Sequence, residues 1–232
     1  TWELKFIGLV NNSFTSIGEG DILRNSKKRT FEKIKIQDLD VFSLPNVPNG
    51  KYKVVIDPGH GGSDPGAVGI NGLRETDIVL EVSKNVSKLL IKKGVKTILT
   101  RKDERTLDLH PRVIKANNSK ADVFVSIHAN ATRGKRKDVN GLETYYYSGS
   151  KGYLLAKNIH KQILITSSQS PDRGIKRSRF YVIRKSSMPA ALVEIGFVTG
   201  KYDAALLRQK AYRDKISFAI AKGILNYLKV FN

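Results

Sequence analysis

The sequence predicts an α/β fold, a layered sheet with helices packed against it. Three observations carry that prediction. From Lys51 onward, short apolar runs of strand length alternate with longer segments of helical period. Several of those runs are apolar throughout, as strands buried on both faces are. The chain has 232 residues, 40% of them apolar, which suffices for one substantial core.

Lys53 to Ile56 is an apolar run that stops at Asp57-Pro58-Gly59, and it reads as the first buried strand. Val79, Val82, Val86, Leu89 and Leu90 then follow helical spacing. Thr76 or Asp77 can cap that helix, and Gly94 sits where a C′ residue belongs. Val95 to Thr100 is the next strand. Val113 to Asn117 is a short helix after Pro111. Asp122 to Ile127 is a strongly apolar strand, and Leu142 to Tyr147 is another, rich in Thr and Tyr. Leu155, Ile159 and Ile163 mark a second long helix. Phe180 to Ile183 and Ala191 to Ile195 read as strands. Ile216, Ile220, Gly223, Ile224, Tyr227 and Leu228 define a final amphipathic helix. In such layered sheets, ligands sit at the carboxyl ends of the strands.

Ahead of this lies a stretch of different character. Residues 1–42 read as short extended pieces, Trp2 to Val10 and Phe31 to Ile36, broken by Asn, Ser and Gly. The composition changes near Ser43, and Leu44 to Gly50, with two prolines and an Asn-Gly pair, reads as a linker. The expected division is an N-terminal extension or linker of unknown role at 1–50 and the α/β domain at 51–232. No signal peptide opens the chain, whose first residue is Thr1, so a processed or truncated start is expected.

Composition excludes some chemistry. With no cysteine there is no disulfide, thiolate ligand or thiol nucleophile. No apolar run approaches the roughly 18 residues of a membrane span. The formal charge of +20 points to an anionic partner: nucleic acid, an anionic membrane or an acidic wall polymer. Residues 1–50 contribute about +1, so nearly all of it lies on 51–232. Basic residues interleaved with clustered aromatics are missing, which argues against a nucleic-acid binder.

Four histidines are present. His60 follows the first strand of the second region, in Asp57-Pro58-Gly59-His60-Gly61-Gly62. His128 ends the apolar strand, in Ser126-Ile127-His128-Ala129-Asn130. Two histidines at two strand ends can converge on one site. His110, beside Pro111, and His160, on a Lys-bearing helix, read as structural or solvent-facing. Glu75 stands at the start of the first helix, where a carboxylate is favoured by the helix dipole whether or not it has another role. Glu194 is a lone acid in the apolar strand Ala190 to Phe197. Burying an unpaired carboxylate is costly, and such a site raises its pKa toward the range of a general base. Two His and one Glu as ligands, with a second Glu as base, would make a catalytic zinc set with one position left for water.

These residues resemble a known family. Val54-Val55-Ile56-Asp57-Pro58-Gly59-His60-Gly61-Gly62-Ser63-Asp64-Pro65-Gly66-Ala67 is similar to the opening motif of zinc-dependent N-acetylmuramoyl-L-alanine amidases of the Amidase_3 type. Gly72 to Asp77, Ser126 to Asn130 and Met188 to Phe197 resemble the family's second, third and fourth motifs, in its order. Within the family, the likeness is to AmiC-like cell-division amidases. The resemblance implies that His60, Glu75 and His128 bind Zn2+ and that Glu194 is the catalytic carboxylate. It implies a mixed, mostly parallel central sheet flanked by helices on both faces. The implied reaction is hydrolysis of the amide between N-acetylmuramic acid and L-alanine of the peptidoglycan stem. Many members carry Ser-Asn after the Gly-Phe of the fourth motif, whereas Thr199-Gly200 follows here. Asp57 is either a partner for a ligand histidine or a turn cap.

The implied setting is extracytoplasmic, in periplasm or cell wall, with the basic surface holding an anionic wall polymer. Some members carry a helical plug after the third motif. Here Ala131 to Gly141 is short, polar and basic, so an open site that needs no protein activator is expected.

Overall fold

The computed structural model describes residues 8–10, 13–15, 40–134, 136–167 and 170–230. The chain divides into two compact units, Thr1–Lys33 and Ile34–Asn232. In the first unit the described residues form an antiparallel ladder of β1 (Gly8–Val10) and β2 (Ser13–Thr15), with Leu9 opposite Phe14. The extended piece expected over Phe31 to Ile36 lies outside the described residues, as does most of Trp2 to Val10.

The second unit is built on six strands: β3 (Lys53–Pro58), β4 (Lys96–Leu99), β5 (Val123–Asn130), β6 (Leu142–Tyr146), β7 (Asp172–Arg177) and β8 (Ala190–Phe197). Their order is β4-β3-β5-β8-β6-β7, and only the β6–β8 pair among them is antiparallel. The sheet is therefore mixed and mostly parallel. Among the described residues its α-helices are α1 (Glu75–Lys92), α2 (Leu109–Asn118), α3 (Gly149–Thr166), α4 (Tyr181–Lys185), α5 (Lys201–Leu207) and α6 (Lys210–Val230).

Side-chain alternation along the strands assigns each helix to a face. Val54, Ile56, Val125, Ile127, Val193 and Ile195 share the larger core with Val82 and Val86 of α1, Leu155 and Ile159 of α3, and Ile220 and Ile224 of α6. Val55, Phe124 and Leu192 face the other way, onto Val113 and Ala116 of α2 and Val182 and Ile183 of α4. Asp57, Ser126, His128 and Glu194 continue this second parity toward the carboxyl ends of their strands. Helices lie on both faces, as the family resemblance implies, and the site belongs to the more thinly covered one.

Some local expectations change. The segment Phe180 to Ile183, read as a strand, is the entry to helix α4. The edge strand is instead β7, whose Asp-Arg-Gly-Ile-Lys-Arg sequence has almost no apolar pattern because it pairs on one side and stays largely exposed. Pro111 lies inside the first turn of α2, where its missing N–H costs nothing. Helix α1 begins at Glu75 with no side-chain cap, so neither Thr76 nor Asp77 caps it. Gly94 has φ +77° and its N–H reaches the Ile91 carbonyl, as a C′ residue does. The stretch read as a linker is anchored: Leu44 is only 2% exposed within the larger core, with Val41 and Val47 packed beside it.

Candidate metal centre

Three side chains from three elements meet at the carboxyl end of the sheet. His60 comes from the turn after β3, Glu75 from the first residue of α1, and His128 from the carboxyl end of β5. One ligand atom from each lies within 4.8 Å of the other two. Glu75 Oε1 is 3.1 Å from His60 Nε2 and 3.0 Å from His128 Nδ1. The imidazoles meet edge to face, 5.0 Å between centroids.

The local sequence explains how they converge. His60 holds φ +59°, a left-handed conformation uncommon for a residue with a side chain, and the kind of strain concentrated at functional sites. His60 Nδ1 is 2.7 Å from Asp64 Oδ2, which orients the ring, while Asp64 Oδ1 accepts the Gly66 N–H at 2.9 Å. A side chain on Gly59 would overlap the His128 imidazole, so the close approach of the β3 turn to β5 needs glycine there. Glu75 is fixed through the Ala67 N–H on Oε2 and the Ala129 N–H on Oε1, at 2.9 and 3.0 Å.

The surrounding charge favours this arrangement. Burial alone would raise the Glu75 carboxyl, but hydrogen bonds and charge from His128 and His60 outweigh it and hold it well below the usual carboxylate range. Burial would likewise lower the His60 imidazole, and Glu75, then Asp64, raise it instead.

Glu194 lies beside the cluster on β8, as the cross-strand neighbour of His128. Its residue keeps partial exposure, yet Oε2 is sealed and has no hydrogen-bond partner. Burial, then the charges of Glu75 and Glu143, push its carboxyl well above the ordinary value. A cleft of about 170 Å³ opens alongside, lined by Gly59, His60, Thr106, Leu109, His128 and Val182 among others.

Asp57 takes neither of its two expected roles. It is buried and accepts from Thr100 Oγ1, Arg112 Nη1 and Ser126 Oγ at 2.5, 2.9 and 2.8 Å. Among the described residues it makes no hydrogen bond to a histidine; the carboxylate beside His60 Nδ1 is that of Asp64. Two buried arginines hold the turn that carries His60. Arg112 donates to the carbonyls of Pro58, His60 and Leu107, and Arg101 to those of Gly59 and Thr76. Sequence reading missed both, because arginine ordinarily signals a solvated surface. Glu143, a lone acid in an apolar strand, carried the same signal as Glu194 and was also missed.

The other histidines fall as expected. His160 is buried between Thr144 Oγ1 and Asp172 Oδ1, each at 2.9 Å, and His110 is exposed and meets the Tyr181 hydroxyl. Among the described residues of 131–141 there is no helix. Thr132 N–H donates to Thr199 Oγ1 at 3.0 Å, so the departure at Thr199 is used to hold this loop.

Comparison with known proteins follows the same residues. The model of the Amidase_3 family, N-acetylmuramoyl-L-alanine amidase, matches residues 54–226. The N-acetylmuramoyl-L-alanine amidase LytC of Bacillus subtilis is 41% identical over 179 residues, which is 76% of this chain and 35% of LytC. The germination-specific N-acetylmuramoyl-L-alanine amidase of Bacillus subtilis is 32% identical over 84% of this chain and 87% of its own length. Among solved structures, N-acetylmuramoyl-L-alanine amidase AmiC2 of Nostoc punctiforme superimposes with a TM-score of 0.75 at 47% identity, covering 78% of this chain and 99% of that one.

Proposed function

The chain belongs to the N-acetylmuramoyl-L-alanine amidase family, and from that premise we propose that it hydrolyses the amide between N-acetylmuramic acid and the L-alanine of the peptidoglycan stem. The observation that carries the reading is the His60–Glu75–His128 cluster beside an acid, Glu194, whose Oε2 is buried without a partner.

The donor set fits zinc. Two imidazole nitrogens and one carboxylate oxygen are the mixed N/O ligands of catalytic zinc sites, and three protein ligands leave a position open. His60, Glu75 and His128 would hold the ion, which when bound would polarise the scissile carbonyl and make a water more acidic. The remaining work falls to the chain itself. Glu194 accepts the proton of the attacking water and hands it to the leaving L-alanine nitrogen. Burial raises its proton affinity, which favours taking the proton from water. Asp64 keeps the His60 ring in place, and the arginine-held turn keeps the Asp64–His60 pair over Glu75.

The reaction takes place outside the cytoplasmic membrane, where peptidoglycan lies. Among the described residues no helix is long and apolar enough to cross a membrane. The +20 charge favours retention on anionic wall polymers. A setting in cell division rests on the AmiC-like resemblance. One solved relative, the CwlD amidase of Clostridioides difficile, was determined in complex with the GerS lipoprotein. For this chain, the loop at 131–141 supports an open cleft that works without an activator.

Mass spectrometry of products from purified sacculi tests the reading. Free stem peptides beginning in L-alanine, with intact glycan, are expected. Cuts within the peptide would instead assign a peptidase.

A further inference from the structure

Beside Glu194 the sheet holds a second buried acid that the reaction above does not use. Glu143 of β6 is 2% exposed and is the antiparallel partner of Glu194 on β8. Its carboxylate is crowded with donors. Oε1 accepts from Arg173 Nε at 2.5 Å and Lys176 Nζ at 2.8 Å; Oε2 accepts from Asn130 Nδ2 at 3.1 Å and from the Tyr145 hydroxyl. Asn130 lies two residues past His128, so the cluster is tied to the strand that carries the metal-site histidine.

Arg173 and Lys176 are three apart on β7, and strict alternation would send them to opposite faces. The β6–β7 register shifts between Leu142 and Thr144, so three residues of β7 span what two of β6 span. Gly174, at φ +86°, absorbs the extra residue. The bulge turns both cations onto the face of Glu143 and Glu194. There Arg173 lies over the Phe197 ring at 5.0 Å and Lys176 over the Tyr145 ring at 6.0 Å.

One carboxylate facing two cations leaves a positive charge over. The Arg173 and Lys176 side chains remain 37% and 41% exposed. Arg173 spends Nε on Glu143, and its terminal nitrogens make no hydrogen bond among the described residues. A buried acid one strand away from the proposed general base thus gathers two oriented, partly solvated cations from the next strand, β7. Neighbouring strands are about 4.8 Å apart. Two residues of extended peptide span about 7 Å. A peptide whose first amide lies at Glu194 therefore brings the next residue's carboxylate within range of the pair.

We propose that Arg173 and Lys176 form a subsite for a carboxylate on the peptide side of the scissile amide, that of the second stem residue. Glu143 is the positioning residue that aims them. The proposal rests on the amidase reading. It means that the protein distinguishes stems with a free α-carboxylate on that residue from stems in which it is amidated, because a charge-assisted bond is about twice as strong as a neutral one.

The test compares kcat/KM on two soluble muropeptides that differ only there, one with D-glutamate and one with D-isoglutamine. The full chain is expected to favour the acid by about tenfold. Arg173→Gln and Lys176→Gln are each expected to bring the ratio to about threefold or less, the loss falling on the acid. Arg173→Lys, which keeps the charge, should restore part of it. A purely structural role would lower both substrates alike and leave the ratio unchanged. Competition by the dipeptides L-Ala-D-Glu and L-Ala-D-isoGln gives a second reading that needs no variant, and the acid should bind more tightly. If the full chain cuts both substrates equally, the subsite is overturned and the amidase reading stands. If it cuts neither, both fall.

Discussion

Glu143 and Glu194 face each other directly across the antiparallel β6–β8 pair, one saturated with donors and the other with a sealed, unpartnered oxygen. Like charges opposite each other on a sheet repel. The pair resolves the conflict unequally. Burial would raise Glu143, but Lys176, Tyr145 and Arg173 hold it below the usual range; burial and the neighbouring acids raise Glu194. Two acids on one face can thus hold different protonation states, a pattern that separates a fixed charge from a proton carrier.

Glu194→Gln is expected to lower turnover about 100–10,000-fold while leaving metal content unchanged. Loss of metal from this variant would reassign Glu194 as a ligand. In the chelated protein the same change should raise stability at neutral pH. Below the ordinary carboxyl value of 4.5, Glu194 is protonated both folded and unfolded, and Gln gains nothing. Above it the unfolded chain ionises while the folded one resists, so native stability falls. Urea melts at pH 4 and pH 7.5 measure the difference, which should appear only at the higher pH.

His60→Ala and His128→Ala should each abolish stoichiometric zinc binding and activity, because two remaining donors do not make a catalytic site. Chelation of the unaltered protein should do the same, reversed by added zinc. Metal analysis beside the assay checks it; full activity in a metal-free sample would falsify the assignment.

Asp57→Ala is expected to cost about 3–5 kcal/mol, since Arg112 would be left buried without its carboxylate. Arg112 also holds the His60 carbonyl, so zinc affinity should fall about 10–100-fold in whatever folds. Thermal melts and zinc titration measure the two effects. A stable variant with undiminished affinity would show that the turn needs no clamp.

A chain starting at Asp40 should cleave sacculi with no other protein present. One starting at Asn49 loses Leu44 from the core and should be less stable by about 2–5 kcal/mol. Denaturant midpoints compare the two. Silence of the longer of them until a second protein is added would refute the open-site reading.

Retention on intact sacculi should weaken steeply as salt rises past about 0.15 M, where surface charges are screened over about 8 Å. Hydrolysis of a small soluble muropeptide should change much less. Equal salt sensitivity in the two assays would remove the role assigned to the basic surface.

The sequence by itself determined the strands β3, β5, β6 and β8, the long helices and the motif residues, since apolar runs and helical spacing encode burial locally. It also exposed Glu194, because an acid in an apolar strand is costly wherever that strand goes. Strand β7 escaped because an exposed edge needs no apolar pattern, and helix α4 was mistaken for a strand because its few apolar residues fit either period. What only the tertiary structure decided is which charges share a space. Arg101 and Arg112 look like surface residues until the β3 turn closes over them, and Asp64 becomes the partner of His60 through a left-handed turn. Arg173 and Lys176 meet at Glu143 through a register shift between strands about thirty residues apart in the chain. Burial, pairing and pKa are properties of neighbours, and apart from Asp64, four residues from His60, those neighbours are distant in sequence, so local pattern does not carry them.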